Sequence, residues 1–200
     1  MVKSKVLNSM SEIYHFSMAS RSKEDNVLSL VFENSPFKEW HFEEIVREAK
    51  VTKAVANKWL RRYVKEGLLK RVKQKSKFPY FTVGSDNIVY HSWKRLYALE
   101  QLYKSGLIQE LLALKTAKTI IIFGSLIKGD WYKDSDIDIF VYGGVEDFDK
   151  KWYESKLRRN IELHVFENAQ EIQEVKTGLI KNIINGYLVK GQVQDVAEVA

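Results

Sequence analysis

The chain has no cysteine. That excludes a disulfide framework, a thiolate metal site and a cysteine nucleophile, and it fits a reducing compartment. Proline is scarce, at two, while aromatic residues are abundant, and the composition is ordinary for a folded protein. Low-complexity tracts and internal repeats are both missing. No window approaches the length of a membrane span. The opening run MVKSKVLNSMSEIYHF has no uninterrupted apolar core of the signal-peptide kind. The expectation is a cytoplasmic protein with no membrane contact. Two hundred residues suffice for one or two domains with a real core.

Charge is present but unevenly spread. Residues 1–85 hold 17 Lys and Arg against nine Asp and Glu, a net of +8. Residues 86–200 hold 15 against 17, a net of −2. A basic front suits a polyanion, and a mildly acidic back suits cations.

In the basic half, residues 24–33 read as a short helix and 35–49 as a second. Residues 51–67 read as a third, starting at Thr52 and stopping at Gly67. On the third, Val55, Ala56, Trp59, Leu60 and Val64 share one side. Lys53, Asn57, Arg61 and Lys65 line the other, flanked by Lys58 and Arg62. Residues 68–83, LLKRVKQKSKFPYFTV, alternate apolar and basic, turn near KQKSK and end in aromatics, which reads as a hairpin with a basic tip. Three helices and a basic hairpin resemble a winged helix-turn-helix domain. The resemblance implies DNA as partner. Lys53, Asn57, Lys58, Arg61 and Arg62 would face it, with Lys73, Lys75 and Lys77 on backbone phosphate. The competing reading is a merely solvated basic face.

Residues 86–115 carry Trp93, Leu96, Leu99, Tyr103, Leu107, Leu111 and Leu114 at helical spacing, with a break expected at Gly106. This linking helix (86–116) offers its apolar side to the second domain or to another copy of the chain, as a homodimer. The expected division is 1–85, 86–116 and 117–200.

The second half opens on TIIIF (119–123), a run without polar alternation and so a strand buried on both faces. Gly124 ends it, and Ser125 is placed to cap a short helix. Strand, Gly-Ser turn and helix start make a seat for phosphate. The next strand, DIDIFVY (136–142), points Ile137, Ile139 and Val141 one way and Asp136 and Asp138 the other. Two carboxylates so close repel, and a divalent cation removes the problem. A third strand, NIELHVF (160–166), turns Glu162 and His164 to one side. If it pairs beside the Asp136 strand, Glu162 joins the aspartates, and three carboxylates suffice for two metal ions.

The run FGSLIKGDWYKDSDIDIFV resembles the signature of the DNA polymerase β nucleotidyltransferase superfamily, in its minimal prokaryotic form. The resemblance covers about residues 117–190. It implies an α+β fold with a mixed sheet and flanking helices. It implies Mg²⁺, two ions, held by Asp136, Asp138 and Glu162, which are also the catalytic residues. It places nucleotide phosphates on Gly124 and Ser125, with Lys128 either assisting or simply solvated. Aspartate is the usual third acid, and glutamate stands here. The reaction implied is transfer of NMP from an NTP, ATP for preference, to a hydroxyl. That hydroxyl would belong to a partner protein of the helical HEPN kind. The alternative is an antitoxin-like DNA-binding regulator that senses nucleotide without turnover. Trp131 and Tyr132 either stack on a base or close the loop. His164 is expected to pack or hydrogen-bond, and His15, His41 and His91 show no ligand spacing. Residues 168–191 read as a covering helix, and 192–200 as frayed.

Overall fold

Val27, Leu28, Val31 and Phe32 recur at helical spacing, and all four are buried on the first helix, α1 (Lys23–Glu33). A computed structural model describes residues 23–75, 77–83 and 87–198. His15 lies outside them. The basic half continues with strand β1 (Trp40–His41), helices α2 (Phe42–Glu48) and α3 (Lys53–Lys65), and strands β2 (Lys70–Val72) and β3 (Tyr80–Thr82). The strands form an antiparallel sheet in the order β1-β3-β2. Thr52 caps α3 by accepting from the Val55 N–H, and Gly67, at φ +75°, turns the chain just beyond its end. Residues 35–49 are not one helix. Trp40 and His41 instead pair with Phe81 and Tyr80. The helix waits for Phe42, where the Glu44 carboxylate accepts from the His41 N–H. Consecutive aromatics favour a pleated, half-buried edge over a helix start.

The bridge is α4 (Ile88–Ser105) and α5 (Leu107–Ala113), broken at Gly106 in the left-handed region, as the sequence leads one to expect. Its inward face is a surprise. Tyr90, Lys94, Tyr97, Ala98 and Leu102 are buried, whereas Leu96 is 59% exposed and Tyr103 44%. A lysine on the buried side hides that side from any hydropathy count. The Lys94 ammonium sits 4.9 Å from the Trp131 ring, 4.8 Å from Tyr132 and 5.3 Å from Tyr90, and donates to the Tyr90 hydroxyl at 3.4 Å.

Burial pulls the Lys94 pKa down to about 8, against a pull upward from Asp130 and a further push down from Arg159. The unfolded chain keeps this lysine protonated up to its ordinary 10.5. Between pH 8 and 10.5 the unfolded state therefore binds more protons, and stability rises with pH. The charging penalty below pH 8 is on the order of 3 kcal/mol. In Lys94→Met this rise should vanish, a result read from urea midpoints across the window.

The second half is a four-stranded mixed sheet in the order β6-β5-β4-β7. Strands β4 (Ala117–Phe123) and β5 (Ile137–Gly143) are antiparallel. Helix α6 (Ser125–Lys128) follows β4, and α7 (Lys150–Leu157) crosses from β5 to β6 (Ile161–Phe166), which lies parallel to β5. Residues 168–191 do not form one helix. They divide into α8 (Ala169–Gln173), α9 (Thr177–Ile184) and a strand, β7 (Tyr187–Lys190), antiparallel to β4. Gly186 allows that return: a Cβ there would meet Ile121 Cγ2 at 2.5 Å and the Ile122 carbonyl at 2.6 Å. Nor is the tail frayed as far as Glu198. Helix α10 (Gln194–Ala197) buries Val196 fully, and Asp195 accepts from the Thr119 hydroxyl at 2.5 Å and pairs with Lys118 at 2.7 Å.

One core cluster runs from Val27 on α1 through Tyr97 on α4 to Ile161 on β6. Trp131 belongs to it, 2% exposed, stacked on Tyr97 and edge-on to Phe32. Trp131 is therefore core, and only Tyr132, 45% exposed, is left open to solvent. A second cluster, Ile121, Phe123 and Phe140 under α8, α9 and α10, covers the other face of the sheet.

Candidate active site

Register places the acids. Phe123 at the end of β4 pairs with Asp138 on β5, and Asp138 pairs with Glu162 on β6. The next position on that face pairs Phe140 with His164. Because side chains alternate, Asp138, Phe140, Glu162 and His164 project together from one face. Asp138, Glu162 and His164 bring ligand atoms within 4.8 Å of one another. His164 Nε2 lies 3.6 Å from Glu162 Oε1, and its ring is 5.2 Å from that of Phe123. The imidazole thus packs on Phe123 and faces Glu162, in keeping with the packing role expected of it. Its signal was present: it sits two residues after Glu162 on the same strand face.

Asp136 stands outside this close group, one residue before β5 begins. Its charge still reaches Asp138. The Asp138 carboxyl is held above its ordinary range by burial first and by Glu162 next, with Asp136 adding to both; His164 and Lys128 pull it back. Lys128 is exposed and donates to Asn182 Oδ1 on α9 at 3.0 Å, so α9 borders the site.

The turn is closer to the acids than sequence suggests. Gly124 has φ +79° and ψ −158°, a region open essentially to glycine alone. A Cβ there would sit 1.9 Å from Asp138 Oδ2. Gly124 is itself the N-cap position of α6, so Ser125 is the first helical residue and not the cap.

The loop delivering Asp136 is fixed from three sides. Trp131 Nε1 donates to the Lys94 carbonyl at 3.2 Å, and the Lys133 N–H donates to the Glu33 carbonyl at 3.2 Å. Arg159 Nη1 donates to the carbonyls of Tyr132 at 2.6 Å and Ser135 at 2.8 Å. His91 Nδ1 lies 3.0 Å from the Gly129 carbonyl. None of these ties has a local sequence signal, because each partner is remote in the chain.

Residues 107–193 match a family model described as "Polymerase beta, Nucleotidyltransferase". The match supports the nucleotidyltransferase superfamily for that segment. It runs from α5 through β7 and contains Gly124, Asp136, Asp138, Glu162 and His164. Among solved structures, a chain described as "Crystal structure of the toxin-antitoxin with AMP-PNP" is similar at 19% identity. The similarity covers 53% of this chain and 80% of that chain, with a TM-score of 0.32. No curated protein matches.

The donor set suits a divalent cation. Asp138 and Glu162 supply carboxylate oxygens, the ligands hard ions such as Mg²⁺ require. His164, beside the Glu162 carboxylate, fits better as the group that orients it.

Proposed function

We propose that the chain is a metal-dependent nucleotidyltransferase that moves NMP from an NTP, ATP for preference, to a hydroxyl. The observation that carries this reading is the line Gly124, Asp138, Glu162 across the ends of three adjacent strands. Asp138, Glu162 and Asp136 would hold the cations. A bound divalent ion would neutralise triphosphate charge and polarise the α-phosphorus. The Gly124–Ser125 backbone and Lys128 bind the phosphates. Glu162, the more exposed acid, takes the proton of the attacking hydroxyl at its carboxylate. The oxygen–phosphorus bond forms at the α-phosphorus as the bond to the leaving pyrophosphate breaks. The acceptor in this reading is a partner protein's hydroxyl, from a HEPN-like helical protein.

The basic half in this proposal is a winged helix on DNA. The order helix, strand, helix, helix, strand, strand and the sheet order β1-β3-β2 support it. Asn57, Lys58 and Arg61 on α3 are exposed, as are Lys73, Lys75 and Lys77 on the hairpin. Lys53 and Arg62 are exposed but already paired, the first with Glu43 at 2.7 Å, the second with Glu66 at 2.7 Å and Glu24 at 3.6 Å. Their share of DNA affinity should be smaller, because the acids compete with phosphate.

A second reading is a nucleotide-sensing regulator without turnover. One observation favours it: Asp136 lies outside the close group. Labelled ATP with magnesium and candidate acceptors separates the two. Transfer that disappears in Asp136→Asn supports the enzyme; binding of ATP with no transfer under any condition supports the regulator.

Metal binding has its own signature. With the folded Asp138 carboxyl raised above the ordinary 3.8, the folded state binds more protons than the unfolded as pH climbs from 3.8. Stability falls across that window and stays reduced above it. A cation offsets the repulsion only while the carboxylates are ionised. Magnesium or manganese should therefore raise the thermal midpoint at neutral pH, with the gain shrinking as Asp138 protonates. Differential scanning fluorimetry over a pH series checks this, and a gain independent of pH would contradict the assignment.

A further inference from the structure

An open groove of about 670 Å³ lies between the β2–β3 hairpin on one side and the β1–α2 junction (His41, Phe42, Glu43) with Asn57 of α3 on the other. It continues past Asn57, Arg71 and Phe81 into a second recess of about 380 Å³ beside Arg61. Sites for small aromatic ligands run roughly 300–1,000 Å³. Phe42, Pro79 and Phe81 supply apolar lining, and Phe78 stands on the rim 84% exposed. A ring that open packs on little of its own chain. Asn57 offers one amide donor group and one acceptor, and Arg71 a planar cation.

We infer that this groove takes an unpaired nucleobase of a single-stranded nucleic acid, stacked on Phe78 with its edge read by Asn57. The inference rests on the nucleic-acid reading of the basic half and narrows it. Bases in a perfect duplex present only their edges, since their faces are stacked on one another. A free aromatic ring stacks on a whole base face only where that base is unstacked. Charge selects the polyanion over an apolar peptide. Arg71 lines the groove, Arg61 lines the adjoining recess, and the hairpin carrying Phe78 also carries exposed Lys73, Lys75 and Lys77. The acid on the rim, Glu43, is paired with Lys53.

The test uses the full chain and fluorescence anisotropy at fixed low salt, with a labelled oligothymidylate and a perfect duplex of equal length. Phe78→Ala should weaken single-strand binding roughly ten-fold and leave the duplex unchanged, and Phe78→Trp should restore it. Phe78 is so exposed that the thermal midpoint of both variants should match the parent's. Equal weakening on both probes, or none on either, overturns the inference. Parent protein that binds duplex alone overturns it while leaving DNA binding intact. Parent protein that binds neither probe overturns both.

Discussion

Gly124→Ala should abolish nucleotide transfer while the protein stays folded. The added Cβ would lie 1.9 Å from Asp138 Oδ2 and 2.9 Å from its Cγ. Both are atoms of a side chain that can rotate, so the clash is relieved by moving the carboxylate. That movement takes Asp138 away from Glu162 and His164, and the cation site goes with it. The backbone adds a separate penalty, since φ +79° with ψ −158° is a conformation that an alanine holds only at about 1–3 kcal/mol. A control separates the two effects. Gly67 also has positive φ, +75°, but a Cβ there meets nothing within 4 Å. Gly67→Ala should lower stability by roughly 1 kcal/mol and leave transfer unaltered. The measurements are transfer rate, the metal-induced shift in thermal midpoint and the unfolding free energy. A Gly124→Ala protein that keeps its metal response would remove Gly124 from the site.

The sheet and its acids were legible because their signals are local. TIIIF has no polar alternation, DIDIF alternates strictly, and the Gly-Ser turn stands between them. Placing Glu162 beside Asp138 needed more: β6 had to lie parallel to β5, and the crossover helix α7 makes that pairing possible. Signals that depend on distant partners were lost. GYLVK (186–190) sits among helical neighbours in sequence, and only the free edge of β4 makes residues 187–190 a strand. Lys94 reads as polar, yet Tyr90, Trp131 and Tyr132 give its charge a home. For Trp131 the sequence left open a base-stacking or a loop-closing role, and the aromatic cluster with Phe32 and Tyr97 claims it for the core. The same remoteness has a mechanical consequence. Lys133 hangs from α1 in the basic half and Trp131 from α4 in the bridge, so the loop bearing Asp136 is held by elements outside its own sheet.

Asp138→Asn should move stability and activity in opposite directions. Ionised Asp138 is half-buried and faces Glu162, with Asp136 nearby. Each of these raises its pKa, which means each penalises the folded state whenever the carboxylate is charged. An amide of the same shape carries no charge, so without metal the variant should gain roughly 0.5–2 kcal/mol of unfolding free energy. Transfer should fall by about a thousand-fold or more, because a group positioned to hold charge near the reacting phosphorus is gone. The metal-induced rise in midpoint should vanish with it. Asp134→Asn, on an exposed loop position, should change none of these. A carboxylate serving only the fold would behave the other way: it would sit in favourable contacts, and its removal would destabilise. Chemical denaturation with and without magnesium, run beside the transfer assay, tells these apart. A less stable, metal-responsive Asp138→Asn protein would make Asp138 a structural residue and leave the proposed enzyme without its centre.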